Sequence, residues 1–152
     1  MPVIRQATPD DEPAIRACAE DAYAQYVEAI GRKPQPMVAD FAADIAAGQA
    51  YVISANGVEV DGFIIFFPNG DHMFLENVAI FTRATGQGLG RSLIEFCEAE
   101  AHRLGLVAVE LYTNEKMTAN QTLYPRLGYL ENFRRTENGF HRIYYRKPIV
   151  AG

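Results

Sequence analysis

Apolar residues recur along this chain with two different periods, and the switches between them mark its elements. Residues 3–7, "VIRQA", suit a short first strand. Thr8, Pro9 and the acids at 10–12 then mark a helix start: a capping hydroxyl, a proline in the first turn, and carboxylates near the positive end of the dipole. Ile15, Cys18, Ala22, Tyr26 and Ile30 follow at spacings of three or four, which makes one helical face. The segment 31–37, "GRKPQPM", interrupts it. A second helix carries Met37, Phe41 and Ile45 on one side and stops near Gly48.

The period then drops to that of strands. "AYVISA" and "VEVDGFIIFF" flank Asn56-Gly57, and "FIIFF" and "HMFLENVAIF" flank Asn69-Gly70. Asn-Gly signals a hairpin because both residues accept the positive φ of a type I′ turn. Residues 50–81 are therefore expected to form a three-stranded antiparallel meander. A glycine loop ends its last strand. The next helix turns Leu89, Leu93, Phe96, Cys97 and Leu104 inward and closes at Gly105. Residues 106–113, "LVAVELYT", form a strand that the intervening helix makes parallel to the one before. A short helix over 119–127 ends at Gly128, and a last hairpin turns on Asn138-Gly139. The order β-α-α-β-β-β-α-β-α-β-β predicts an α/β (α+β) fold. Its sheet is mixed, mostly antiparallel and twisted, with about seven strands and four helices on its faces. No linker or repeat divides residues 1–152, so one domain is expected.

With 152 residues, roughly 68–70% of the unfolded surface can be buried without a metal or disulfide. The net charge of −5 disfavours gripping a nucleic-acid backbone. No apolar run approaches the ~20 residues of a membrane span, and the start lacks a signal-peptide core, so a soluble cytoplasmic protein is expected. Cys18 and Cys97 fall in helical patterns and read as core residues of a reducing compartment. His72, His102 and His141 have no metal-ligand spacing, so no metal is expected.

The stretch "TRATGQGLGRSL", 82–93, carries the clearest chemistry. A strand, a glycine loop and a helix N-terminus present converging N–H groups to an anion. Gly86, Gly88 and Gly90 remove the Cβ atoms that would hold a phosphate away. Arg83 and Arg91 offer charge and Ser92 a hydroxyl. A dinucleotide fingerprint needs G-x-G-x-x-G in a βαβ unit; here Arg91 replaces its third glycine and an antiparallel strand precedes it. A P-loop needs G-x-x-x-x-G-K-[ST]; here Thr85 and Arg91 stand at two of its positions.

A glycine-rich turn for close helix packing stays open, although one glycine would serve it and three alternate here; the remaining class of ligand is the pyrophosphate of coenzyme A. "LENVAIFTRATGQGLGRSLIEF" resembles the acyl-CoA-binding motif of the GNAT acyltransferase superfamily, [QR]-x-x-G-x-[GA] between a strand and a helix. "TNEKMTANQTLYPRLGY", 113–129, is similar to that family's strand-helix segment ending in LY-x-x-L-G-[FY]. Thr85 departs from the usual Gln or Arg and is expected to offer a backbone N–H without a long polar arm. Met117 replaces a frequent Asn.

The resemblance implies an N-acetyltransferase that carries acetyl from acetyl-CoA to an amine by direct nucleophilic attack. It assigns Gly86, Gln87, Gly88, Leu89, Gly90 and Arg91 to the pyrophosphate, with Ser92 beside them. It assigns the backbone of Val78 and Ile80 to the pantetheine arm, and the Val78 N–H to the thioester carbonyl. Tyr124 matches the tyrosine that protonates the departing thiolate. Asn120 shares its helix face and either contacts coenzyme A or caps locally. Glu76, read as sharing a strand face with Phe74, Val78 and Ile80, is the candidate base, or else half of a structural ion pair. By family analogy Tyr26, Glu28, Arg32 and Met37 face the acceptor, a small-molecule or peptide amine. A homodimer follows from the resemblance alone. A coenzyme A-binding module without turnover and a dinucleotide-binding domain are the alternatives.

Overall fold

A computed structural model describes residues 2–150. The elements are β1 (Val3–Gln6), α1 (Glu12–Ile30), α2 (Phe41–Ala46), β2 (Ala50–Ser54), β3 (Gly62–Asn69), β4 (His72–Ile80), α3 (Leu89–Arg103), β5 (Ala108–Asn114), α4 (Thr118–Arg126), β6 (Leu130–Glu137) and β7 (Phe140–Pro148). The seven strands form one sheet in the order β1-β2-β3-β4-β5-β7-β6. Only β4 and β5 run parallel, as the helix between them requires.

Helices cover both faces. Ile15, Cys18, Ala19, Phe41 and Ile45 of α1 and α2 pack on Ala50, Val52, Phe63 and Ile65. Leu89, Leu93, Ile94 and Cys97 of α3 pack on Ile53, Ile64, Met73, Leu75, Val109 and Leu111 on the other face, with Tyr124 and Tyr129. Two expected faces shift. In α1 the buried residues are Ile15, Cys18, Ala19 and Tyr23, while Ala22 and Tyr26 are only partly covered. In α3 the inward set includes Ile94 and Ala101, and Leu104 is 47% exposed because the helix ends before it. Met37 lies in a separate 3-10 turn (Gln35–Met37) before α2.

The three Asn-Gly pairs behave differently. Asn138 and Gly139 both take positive φ, 51° and 80°, and close the β6–β7 hairpin as a type I′ turn demands. At the second pair only Gly70 is left-handed, and Asn69 pairs with His72, so the turn sits one residue later on Gly70 and Asp71. At the first, β2 ends at Ser54 and β3 begins at Gly62. Asn56 there folds a longer loop, its side-chain oxygen accepting the Val58 N–H at 2.9 Å.

One irregularity shapes the centre of the sheet. Ile65 pairs with Asn77 and Phe66 with Leu75, so Glu76 is the extra residue of a β-bulge and has no partner on β3. The bulge reverses the strand's alternation. Met73 and Leu75 before it, and Val78 and Ile80 after it, all face α3, whereas Ala79 faces α1. Glu76 therefore does not share a face with Val78 and Ile80, contrary to simple alternation. The bulge is also where β4 leaves β5: their pairing stops at Leu75 and Leu111. Beyond it β4 pairs only with β3, and β5 only with β7, which opens a gap in the sheet.

Candidate active site

The backbone lining this gap is aimed by the bulged strand. The Phe81 N–H donates to the Asp61 carbonyl on the β3 side. Alternation then turns the polar groups of residues 77 and 79 toward β3, and those of Val78 and Ile80 into the gap. Tyr23 of α1 fastens this edge from behind. Its hydroxyl lies 2.8 Å from Asn77 Oδ1 and 3.0 Å from the Val78 carbonyl oxygen. Asn77, 4% exposed, in turn donates to the Pro36 carbonyl at 2.9 Å. The Val78 and Ile80 N–H groups face no strand.

At the end of β4 the chain enters a 3-10 turn (Thr82–Ala84) and then the glycine loop. Gly86 and Gly88 have φ of 82° and 76°, values that favour glycine. No backbone N–H from residue 86 to 91 has an acceptor among the described residues; the first to bond is that of Ser92, to the Gly88 carbonyl at 3.0 Å. Orphan donors at a helix N-terminus are an anion cradle. Asp21 of α1 anchors the approach by accepting the Thr82 N–H at 2.7 Å.

The side chains around the cradle are mostly engaged. Both the N–H and the hydroxyl of Thr85 bond the Thr82 carbonyl, at 3.3 and 2.9 Å. Thr85 thus closes the turn and does not offer the N–H expected of it. Arg83 binds Asp61 at 2.5 Å and the Val60 carbonyl at 2.9 Å, so its charge serves the β2–β3 loop. Arg91 is exposed beside Glu95 at 3.0 Å, and the Ser92 hydroxyl donates to the Gly88 carbonyl at 3.0 Å. The backbone carries the site.

From the cradle a cleft of about 250 Å³ follows β4, bordered by Val78, Ile80, Gly90, Asn120 and Tyr124. A groove of about 270 Å³ lies on the other side of α3, lined by Arg91, Arg126 and Lys147 and by Glu95 and Glu98, which pair with Arg91 and Lys147. Through the gap, a narrow slot of about 40 Å³ is lined by Glu76, Tyr112, Tyr124, Phe140 and Arg142. It shares Glu76, Asn77 and Tyr112 with an outer cleft of about 200 Å³ that adds Asp40 and Asp44.

Tyr124 is buried and borders both the 250 Å³ cleft and the slot. Its hydroxyl makes no hydrogen bond among the described residues. Burial pushes its phenol up, so it stays protonated and able to donate. Glu76 is half-buried and has neither an ion pair nor a hydrogen bond among the described residues. Burial, and then the nearby Asp44, push its carboxyl above the ordinary range. Asp44 is raised in the same way by burial and by Asp40. The two cysteines are buried in the core, with Cys18 pushed up to about 12 and Cys97 also raised by burial. Neither lines any of the four clefts described above. No three His, Cys, Asp or Glu side chains gather as a metal cluster among the described residues.

The gap thus brings together Tyr124, Glu76, Val78, Ile80 and Asn120, and the cleft beside it reaches the loop at Gly90, while Leu89 packs in the core and Arg91 lines the groove across α3. Asn120 is tied to the protein, its amide donating to Thr113 Oγ1 at 3.0 Å. The four acceptor-side candidates scatter. Tyr26 borders the 250 Å³ cleft beside Val78 and Ile80, not the slot. Glu28 is exposed and lines none of these clefts. Met37 is a core residue between α1 and α2. Arg32 stacks 3.6 Å over the Phe140 ring and donates to the Asn138 carbonyl, strapping the end of α1 to the last hairpin. Sequence reasoning missed Tyr23, Asn77, Tyr112 and Arg142. Tyr23 was within reach, since it follows Ile15 and Ala19 at four-residue steps.

The chain matches the family model described as "Acetyltransferase (GNAT) family" over residues 15–129. No curated protein matches it. Among solved structures it is similar to the ribosomal-protein-S18-alanine N-acetyltransferase from Escherichia coli, at 22% identity and a TM-score of 0.74, covering 100% of this chain and 97% of that one. A putative acetyltransferase from Desulfovibrio desulfuricans gives 17% and 0.78, covering 99% and 100%. The PaiA N-acetyltransferase from Thermoplasma acidophilum, in complex with coenzyme A, gives 12% and 0.77, covering 97% and 99%. These likenesses establish the fold.

Proposed function

Because the chain belongs to the acetyltransferase (GNAT) family and is an acetyl-CoA-dependent N-acetyltransferase, we propose that acetyl passes directly to an amine held in the gap between β4 and β5. The observation that carries this reading is a cleft that runs from the free N–H groups beside Gly90 to the unbonded Tyr124 hydroxyl, with the unbonded Glu76 carboxylate in the adjoining slot that Tyr124 also lines. The cradle, residues 86–91, holds the pyrophosphate. The groove beside Arg91, Arg126 and Lys147 receives the nucleotide end. The Val78 and Ile80 N–H groups meet the pantetheine arm, and the Val78 N–H polarises the thioester carbonyl.

The amine enters from the slot. Glu76, raised by burial, takes its proton directly or through one water. Attack forms the amide bond and breaks the thioester, and the electron pair leaves on sulfur. Tyr124, kept neutral, protonates that thiolate. Direct attack suits a site in which both cysteines lie in the core, since no thiol can carry the acetyl group in between. The acceptor is a small-molecule or peptide amine. We take the chain as one catalytic domain, place it in the cytoplasm, where its unpaired cysteines stay reduced, and carry over a homodimer from the resemblance.

The tyrosine provides the test. Tyr124→Phe keeps the ring packing against Tyr129 and Tyr145 and removes only the proton donor. It is expected to lower kcat about 100-fold while the acetyl-CoA KM stays within about twofold. An unchanged kcat removes Tyr124 from the chemistry.

A further inference from the structure

Arg142 is the most unusual charge in the molecule outside the roles assigned above. It is 7% exposed, yet it lines the slot that holds Glu76 and Tyr124. Its guanidinium stacks 4.3 Å over the Tyr112 ring and makes no hydrogen bond among the described residues. Its one ion-pair contact among the described residues is Glu137 at 3.4 Å. That carboxylate is shared: it also accepts the Tyr144 hydroxyl and lies 3.9 Å from Arg135. Two guanidiniums thus share one carboxylate, and of the three groups only Arg142 lines the slot. No side-chain nitrogen or oxygen is both buried and without a partner among the described residues, so the unbonded donors of Arg142 are accessible on the slot that it lines, and its planar fork matches a carboxylate.

Arg142 also lies close to the reacting groups. The ring it stacks on, Tyr112, lines the same slot as Glu76 and Tyr124. The slot therefore holds a carboxylate suited to an amine giving up its proton and a guanidinium suited to an anion.

We propose that Arg142 binds a carboxylate of the acceptor, so that the acceptor is an amino acid and not a simple amine or polyamine. This rests on the transfer reading above. Arg142 is a specificity residue: it seats the acceptor so that its nitrogen faces Glu76.

Matched pairs test this on the wild-type protein. Calorimetry on the coenzyme A-saturated enzyme compares α-, β- and γ-amino acids with their amides and decarboxylated amines, alongside spermidine. Acetyl-CoA turnover is measured on the same set. The carboxylate form of at least one pair is expected to bind about 10-fold or more tightly than its partner that lacks the carboxylate. Arg142→Gln is expected to erase that preference without changing coenzyme A affinity. The wild-type comparison stands even where the variant fails to fold. Preferential carboxylate binding without any turnover upholds Arg142 and sinks the transfer reading. Turnover with equal or better use of amides, amines or spermidine sinks Arg142 and upholds transfer. Absence of any carboxylate-dependent binding also overturns the proposal.

Discussion

Gly88→Val is expected to weaken coenzyme A binding by at least about 100-fold, measured by calorimetry. Gly88 sits at φ 76° immediately before α3. A residue with a Cβ pays roughly 1–2 kcal/mol to stay there, and a β-branched one is a genuine outlier. The loop escapes by rotating its peptide planes. The N–H groups of residues 86–91 then no longer converge. Losing two charge-assisted hydrogen bonds at about 1.5–3 kcal/mol each accounts for the drop. Gly70→Val is the control. Gly70 has φ 67° and, like Gly88, no heavy atom within 4 Å of a built Cβ. It suffers the same strain at the far end of β4, and there coenzyme A affinity stays unchanged. Equal weakening by both variants would mean a global effect and would remove the cradle from the binding site.

Glu76→Gln carries the second large effect, a fall in kcat of about 100-fold or more with acetyl-CoA affinity unchanged. Glutamine preserves the size of the bulge residue and cannot take the amine's proton. The pH dependence gives the sign. A base works only when ionised, so wild-type kcat/KM falls as pH drops through the Glu76 value. Burial and Asp44 raise that value, so the acid limb lies above the ~4.3 of an ordinary glutamate. In Glu76→Gln that limb disappears. Asp44→Asn removes one raising charge and shifts the limb toward lower pH. A wild-type acid limb that survives unchanged in Glu76→Gln would assign the base elsewhere.

The element order, the one parallel pairing and the loop were legible in the sequence because each rests on local chemistry. Periodicity separated helices from strands, and only glycine suits the loop's left-handed positions. The last Asn-Gly pair was legible for the same reason. The first two were not, because Asp61 and Asn56 recruit backbone N–H groups into a longer loop, and because Gly70 alone satisfies a turn shifted by one residue. The bulge at Glu76 was invisible. One extra residue inside "FLENVAI" leaves no compositional trace, yet it reverses which side chains face the slot. That reversal hid Asn77 and severed Glu76 from Val78 and Ile80, though not from Phe74. Tyr112 and Arg142 depend on where β5 parts from β4, a consequence of the whole sheet. The acceptor-side candidates scattered for a related reason: Arg32 found a strap on the last hairpin and Met37 a place in the core.

The central claim is that an amine and acetyl-CoA meet in this gap without a covalent enzyme intermediate. Initial rates of thiol release, with acetyl-CoA and an amine acceptor both varied, test it most directly. Lines that intersect, with thiol release dependent on the amine, are the predicted result. Parallel lines, or acetyl-CoA that binds and releases no thiol with any amine, would contradict it.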